Sequence, residues 1–213
     1  DFTFVPYSGA AGSVMVHPDS GIETLSDLRG KKIGVAGSPI DKSWLLLRAY
    51  TLKTFGEDMG KIAKPIYAAP PLLNEKFKQR EFDAVLNYWN YTARLRAAGM
   101  KELIKVQELL PELGVPGRLP LIGYVFEEEW AKTNAKMLKT FFRASKMARQ
   151  IMLESDSEWE RLRPFTRAKN DATLIALRDG YRDGVPKTFG KKQEDAIRAA
   201  FAIVAKHGGR KLV

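Results

Sequence analysis

Apolar and polar positions change period several times along this chain, and each change marks an element. Residues 2–7, Phe2-Thr3-Phe4-Val5-Pro6-Tyr7, alternate with period two and predict a strand, which runs into a loop of small residues from Ser8 to Ser13. Val14-Met15-Val16 predicts a short buried strand that stops at His17-Pro18-Asp19. Residues 24–30 read as one helical turn ended by Gly30, and residues 31–36 as a strand. After the turn Gly37-Ser38-Pro39, a helix is predicted over 41–55, with Trp44, Leu47, Thr51 and Phe55 on one stripe.

The alternation continues. Residues 65–68 predict a strand, and Pro70 and Pro71 open a helix, because proline is tolerated in a first turn. Residues 82–87 predict a strand, 91–98 a helix capped by Gly99, and 103–106 a further strand. A loop carrying Pro111, Gly114, Pro116, Gly117 and Pro120 leads to a strand at 121–126. From Glu127 onward the period is helical: Met137, Leu138, Phe141, Ala144, Ala148, Ile151 and Met152 form one apolar stripe. Trp159 and Leu162, then Leu174, Leu177 and Tyr181, then Ile197, Ala200, Phe201 and Val204 mark three more helices. Alternating strands and helices between residues 31 and 110 predict an α/β fold with a sheet rich in parallel strands. Residues 1–30 and 111–213 hold too few strands to complete a second α/β lobe, so an N-terminal piece of that lobe is expected to be missing.

Composition narrows the chemistry. Among 213 residues, 45% are hydrophobic and 10% aromatic, a globular balance. There is no cysteine, which excludes disulfides, thiolate metal sites and a thiol nucleophile. No apolar run approaches the ~20 residues of a membrane span. No secretion signal is read in this sequence, although a mature chain that had lost one would read the same way. The formal charge is +10, but lysines and arginines alternate with acids along helical segments instead of forming a basic block. That pattern argues against a nucleic-acid partner. The two histidines, His17 in a turn and His207 at a helix end, are read as surface groups, so no metal site and no cofactor are expected.

In open α/β sheets, ligands sit where strands end and helices begin. Three such places stand out. In the first, residues 34–44, a strand runs through Ser38 to a helix start at Asp41, Lys42 and Ser43, where free amides can bind a polar group. Asp41 reads equally as a helix cap, and its charge favours a neutral, zwitterionic or cation-bearing ligand over a plain oxyanion. The second is Asn87-Tyr88-Trp89-Asn90, where rings can stack and amides can orient a ligand, or the rings can simply pack. The third is the loop of Ser8, Gly9, Ala10 and Ser13, bare enough for a ligand to approach the backbone.

The residues at these places carry a resemblance. The run from Gly12-Ser13 through Leu25-Ser26-Asp27-Leu28-Arg29-Gly30-Lys31-Lys32-Ile33-Gly34-Val35 resembles the solute-binding proteins of nitrate/sulfonate/taurine-type ABC transporters. Glu81-Phe82-Asp83-Ala84-Val85 is similar to that family's strand before an aromatic turn, and residues 130–144 resemble its long return helix. The resemblance implies a periplasmic-binding-protein type II fold, two lobes joined by a hinge. Residues 31–118 would form the inner lobe, 1–30 an outer-lobe or hinge segment, and 119–213 the hinge return and helical part of the outer lobe. It implies a monomeric, periplasmic or extracytoplasmic protein that captures a small molecule and docks on a membrane permease, with no catalytic residues. Family contact positions fall on Ser8–Ser13, Ser38–Ser43 and Asn87–Asn90, and Asn74 lies at the same end. Two rivals share the architecture: an enzyme like the thiamine-precursor synthases, and the effector domain of a transcription regulator. Turnover with metal analysis separates the first, and the residues upstream of Asp1 the second.

Overall fold

Period two builds the core. In β3 (Lys32–Ala36), Ile33 and Val35 join one core cluster and Ala36 another; β5 (Ala84–Asn87) divides Ala84 and Leu86 from Val85 in the same way. In β2 (Ser13–Val16), Val14 and Val16 face one side and Met15 the other. Burial on both faces is why these strands read as unbroken apolar runs. The computed structural model describes residues 1–115 and 117–209. With β4 (Lys64–Ala68) and β6 (Lys101–Lys105), the strands form one sheet in the order β4-β3-β5-β2-β6. Strand β3 is parallel to β4 and β5, whereas β2 is antiparallel to both β5 and β6, so four strands run one way and β2 runs against them.

Each forward strand feeds a helix: β3 feeds α1 (Lys42–Phe55) and the short α2 (Met59–Ile62), β4 feeds α3 (Pro70–Lys78), β5 feeds α4 (Trp89–Ala97), and β6 feeds α5 (Val106–Glu112). Trp44 and Leu47 of α1, Met59 of α2 and Leu110 of α5 cover one face of the sheet, together with Ala196 and Ala200 from α11 (Lys191–Gly208). Leu73 and Phe77 of α3 and Leu95 of α4 cover the other. Full burial of each large side chain is worth roughly 1.5–3 kcal/mol. At Gly34 a Cβ would stand 2.9 Å from a Leu73 methyl and 3.0 Å from the Phe82 ring, so a side chain there would displace both from their packing between α3 and the sheet. The outer side of α4 packs through Ala93 on Trp159 of α8 (Asp156–Arg161) and on Leu174 and Leu177 of α10 (Asp171–Gly184).

The remaining elements stand apart from that sheet. Strand β1 (Phe2–Ser8) pairs antiparallel with β7 (Ile122–Glu127) in a two-stranded ribbon. It is followed by α6 (Glu128–Thr133) and α7 (Ala135–Glu154); the single turn α9 (Arg163–Thr166) follows α8. Tyr124 packs edge-on against Phe141 and Phe142 at 5.0 and 5.8 Å, and its hydroxyl lies 2.9 Å from Ser145 Oγ.

Several expectations change. Residues 13–30 do not stand apart from residues 31–118: β2 lies inside the five-stranded sheet, and Ile22, Leu25 and Leu28 belong to its core. The end of the ribbon strand at Ser8, and not residue 30, is where the chain enters this unit. Helices α10 and α11 pack on it as well, through α4 and α1. The expected loop after β6 begins instead with helix α5: burial of Val106, Leu109 and Leu110 offsets the bond lost at Pro111 in its last turn. Pro116 lies outside the described residues. His17 is not a surface group. It is 5% exposed, stacks on the Phe77 ring at 4.3 Å, and its Nε2–H donates to the Phe77 carbonyl at 2.9 Å. No residue of α7 is buried, although its stripe reads as core.

Candidate ligand site at the carboxyl edge of the sheet

Strands β3, β4, β5 and β6 end at Ala36, Ala68, Asn87 and Lys105. Strand β2 runs the other way, so it begins at this same edge, with Ser13 opposite both Asn87 and Lys105. The loop before β2 and the starts of α1, α3, α4 and α5 therefore gather along one edge, the geometry in which open sheets bind ligands.

These helix starts differ in what they offer. At α1 the Asp41 carboxylate accepts from the Ser43 and Trp44 amides at 2.9 and 3.3 Å, so a negative group is already in place. Pro70 and Pro71 deprive α3 of its first amides. At α5 the Val106 amide donates to Gly12 O at 3.0 Å, and Glu108 turns back to accept from Lys105 N. At α4 the first turn holds no acid, and the Trp89 and Asn90 amides donate to no protein acceptor among the described residues. This start is open to an acceptor or an anion.

The residues named from sequence fall into three adjoining groups. Asn87 and Asn74 are buried and bonded to each other: Asn87 Nδ2 donates to Asn74 Oδ1 and to Pro70 O, both at 2.9 Å, and Asn74 Nδ2 donates to Tyr91 O at 3.0 Å. Their amides tie α3 to α4 beneath the edge. Above them, the Tyr88 hydroxyl donates to Asp41 Oδ2 at 3.2 Å and so ties the 37–41 turn to the end of β5. Burial raises the Tyr88 phenol above its ordinary pKa, which keeps it a donor. Ser38 Oγ accepts from Ile40 N, Ser43 is buried, and Lys42 borders an apolar groove formed with Phe4, Leu46, Leu121 and Phe201.

The third group is a recess. Gly9, Ala10 and Ser13 line it with Trp89, while Asn90 sits half-buried in the same first turn. Gly12 holds φ at +112°, and a Cβ there would lie 2.0 Å from Asn87 O, so glycine is required for the loop to rest on β5. Ser8 is buried, accepts from Ala10 N and donates to Gly184 O. Ser13 Oγ donates to Glu102 at 2.5 Å, and Arg96 pairs with the same carboxylate at 2.9 Å.

The recess also takes residues that the sequence did not announce: Arg96, Lys105, Gln107, Arg118 and Asp183. Gln107 Nε2 donates to Gly9 O at 2.5 Å and to Leu119 O at 2.8 Å, and its Oε1 accepts from Leu119 N at 3.1 Å. Arg118 holds Asp183 through two bonds of 2.7 and 2.6 Å, which lowers the Asp183 pKa. The position of Lys105 at a strand end was a signal the chain did carry. Arg118 and Asp183 are brought there only by tertiary packing. Among the described residues no cluster of three His, Asp or Glu could hold a metal, and no helix is long and apolar enough to cross a membrane.

The family model described as "NMT1/THI5 like" matches residues 8–158, which include every strand end and helix start of this edge. The chain belongs to the NMT1/THI5-like family. No curated protein sequence matches it. Solved structures resemble it at low identity. The alkanesulfonate-binding protein SsuA from Xanthomonas axonopodis pv. citri, bound to MOPS, is 20% identical with a TM-score of 0.69, over 95% of this chain and 66% of that one. The periplasmic aliphatic sulphonate binding protein SsuA from Escherichia coli is 18% identical with a TM-score of 0.72, over 96% and 64%. The desulfurization enzyme DSZB is 11% identical with a TM-score of 0.60, over 100% and 73%. These likenesses show the fold expected from sequence, the α/β fold of periplasmic binding proteins of type II. This NMT1/THI5-like chain spans about two thirds of the two SsuA proteins.

Proposed function

We propose that this chain acts in an extracytoplasmic solute-binding component of an ABC importer and captures a small polar or sulfonate-like molecule at the carboxyl edge of its sheet. One observation carries this reading: the free amides of α4 stand beside Trp89 and a recess bordered by Arg96, Lys105 and Arg118, which outnumber the Glu102 and Asp183 carboxylates that they pair with. An anionic head group would accept from the amides while its body lies on the ring. Asp41, fixed by Tyr88, leaves a negative neighbour for a ligand that also carries a cation.

In this reading the five-stranded unit is the inner lobe, bounded by Ser8 and Leu119, with α10 and α11 packed on it. The ribbon is the hinge, and α6 and α7 belong to an outer lobe. Three of the stripe residues of α7, Met137, Phe141 and Ile151, are 52, 45 and 48% exposed, as expected of a face that a further α/β segment covers. Ligand binding would favour a closed arrangement of the lobes, and that form would meet a membrane permease.

The test is a melting-temperature panel of alkanesulfonates, aminosulfonates, nitrate and pyrimidines. A true ligand at 100 times its Kd adds about 2.7 kcal/mol of stability, and Trp89→Ala should abolish most of that gain. A panel with no saturable shift, or a shift that survives Trp89→Ala, overturns the reading. The likeness to DSZB keeps an enzyme in view; product formation from a bound panel member would establish that reading instead.

A further inference from the structure

A second cavity, of about 560 Å³, lies across the Arg118–Asp183 pair from the Trp89 recess. Its walls are the 117–120 loop, the end of α10, the 185–188 segment and the first turn of α11. The volume falls in the ~300–1,000 Å³ range of small-molecule sites. Its charge is one-sided: Arg118, Arg182, Lys187 and Lys192 border it, against Asp183 alone. Two of these cations are already engaged. Asp183 holds Arg118, and Asp156 holds Arg182 at 2.7 Å. Lys187 and Lys192 form no ion pair among the described residues. Helix α11 adds to this. It is 18 residues long and follows Gly190, which has no side chain to cap it; the Lys191 and Lys192 amides donate to no protein acceptor among the described residues, while Gln193 and Glu194 donate back to Gly190 O and Glu194 places one acid in the first turn.

We propose that this cavity binds a small molecule bearing a divalent oxyanion, a phosphate ester or a dicarboxylate, between Lys187, Lys192 and the start of α11. Two unpaired ammonium groups match two negative charges, and a monovalent oxyanion would leave one unmatched. The mixed lining, with Leu119, Pro120 and Pro186 beside the lysines, suits an organic body on the charged group. Occupation would tie the α10–α11 connection to the loop entering β7, and so would bear on the hinge itself.

Calorimetric titration of the intact chain with inorganic phosphate, succinate and methanesulfonate tests this, at constant low ionic strength set with chloride. Saturable binding of phosphate or succinate is expected, with methanesulfonate clearly weaker. Which of the two divalent probes binds more tightly assigns the phosphate or the dicarboxylate form. The double variant Lys187→Gln/Lys192→Gln should weaken binding by ~10-fold or more, since both substituted residues are exposed and unpaired. Trp89→Ala should leave it unchanged. Three outcomes overturn the proposal: no binding above the chloride background, equal binding of methanesulfonate, or an affinity that follows Trp89 and not the lysines.

Discussion

Helices α1 and α7 are both rich in apolar residues, yet they end in opposite circumstances. In the 14 residues of α1, seven are buried, among them Trp44, Leu45, Leu46 and Leu47. In the 20 residues of α7, none is. The apolar positions of α7 split. Phe141 and Phe142 pack on Tyr124 of the ribbon, while Met137 and Ile151 look outward. The contrast teaches that a periodic apolar stripe states a demand for a partner and says nothing about where in the sequence that partner lies. The sheet meets the demand of α1. The ribbon meets only half that of α7, and a ribbon of two strands is itself marginal without further support.

Substitutions can sharpen or break this contrast. The largest effect is expected from Trp44→Ala, which empties a site 1% exposed and should cost about 3–5 kcal/mol in urea unfolding. A loss under 1 kcal/mol would mean that the α1 interface is far looser than described. Asn87→Ala comes next, because it leaves the buried Asn74 Oδ1 without its donor and the Tyr88 amide without its acceptor; about 1–3 kcal/mol should be lost. Third is an acid effect confined to the α1 side. Arg48 donates to both oxygens of Asp58 and lowers the Asp58 pKa below 3.8. The stability from this pair is fully present above the unfolded value and is lost as pH falls through the folded one. The gap between wild type and Asp58→Asn should therefore be constant at neutral pH and close below about pH 3.8; a gap that persists in acid would remove the ion pair as its cause. The smallest effect is expected on α7. Met137→Ser with Ile151→Ser should change unfolding free energy by no more than about 0.5 kcal/mol each, yet should clearly reduce binding of a hydrophobic dye. A large destabilisation would show that this face is already covered.

Most of the five-stranded unit was legible from sequence because its strands and helices are short, locally punctuated and buried on predictable faces. Gly30, Gly99 and the Asp41 cap all fall at the element ends that their chemistry implies. Where the reading failed, the cause was tertiary. Helix α5 forms through Pro111 because three buried side chains outweigh one lost bond. His17 is drawn inside by the Phe77 ring. The candidate site was legible as a set of strand ends. Its division of labour was not, since nothing local says that Asn74 and Asn87 satisfy one another or that Arg118 meets a carboxylate 65 residues away.

Gln107 has a wider consequence. Its single amide group grips the chain both where it enters the five-stranded unit, at Gly9, and where it leaves, at Leu119. The two crossings are thereby held to one point. Gly9 also lines the recess where Trp89 stands, so this one amide fastens both crossings at the rim of that recess.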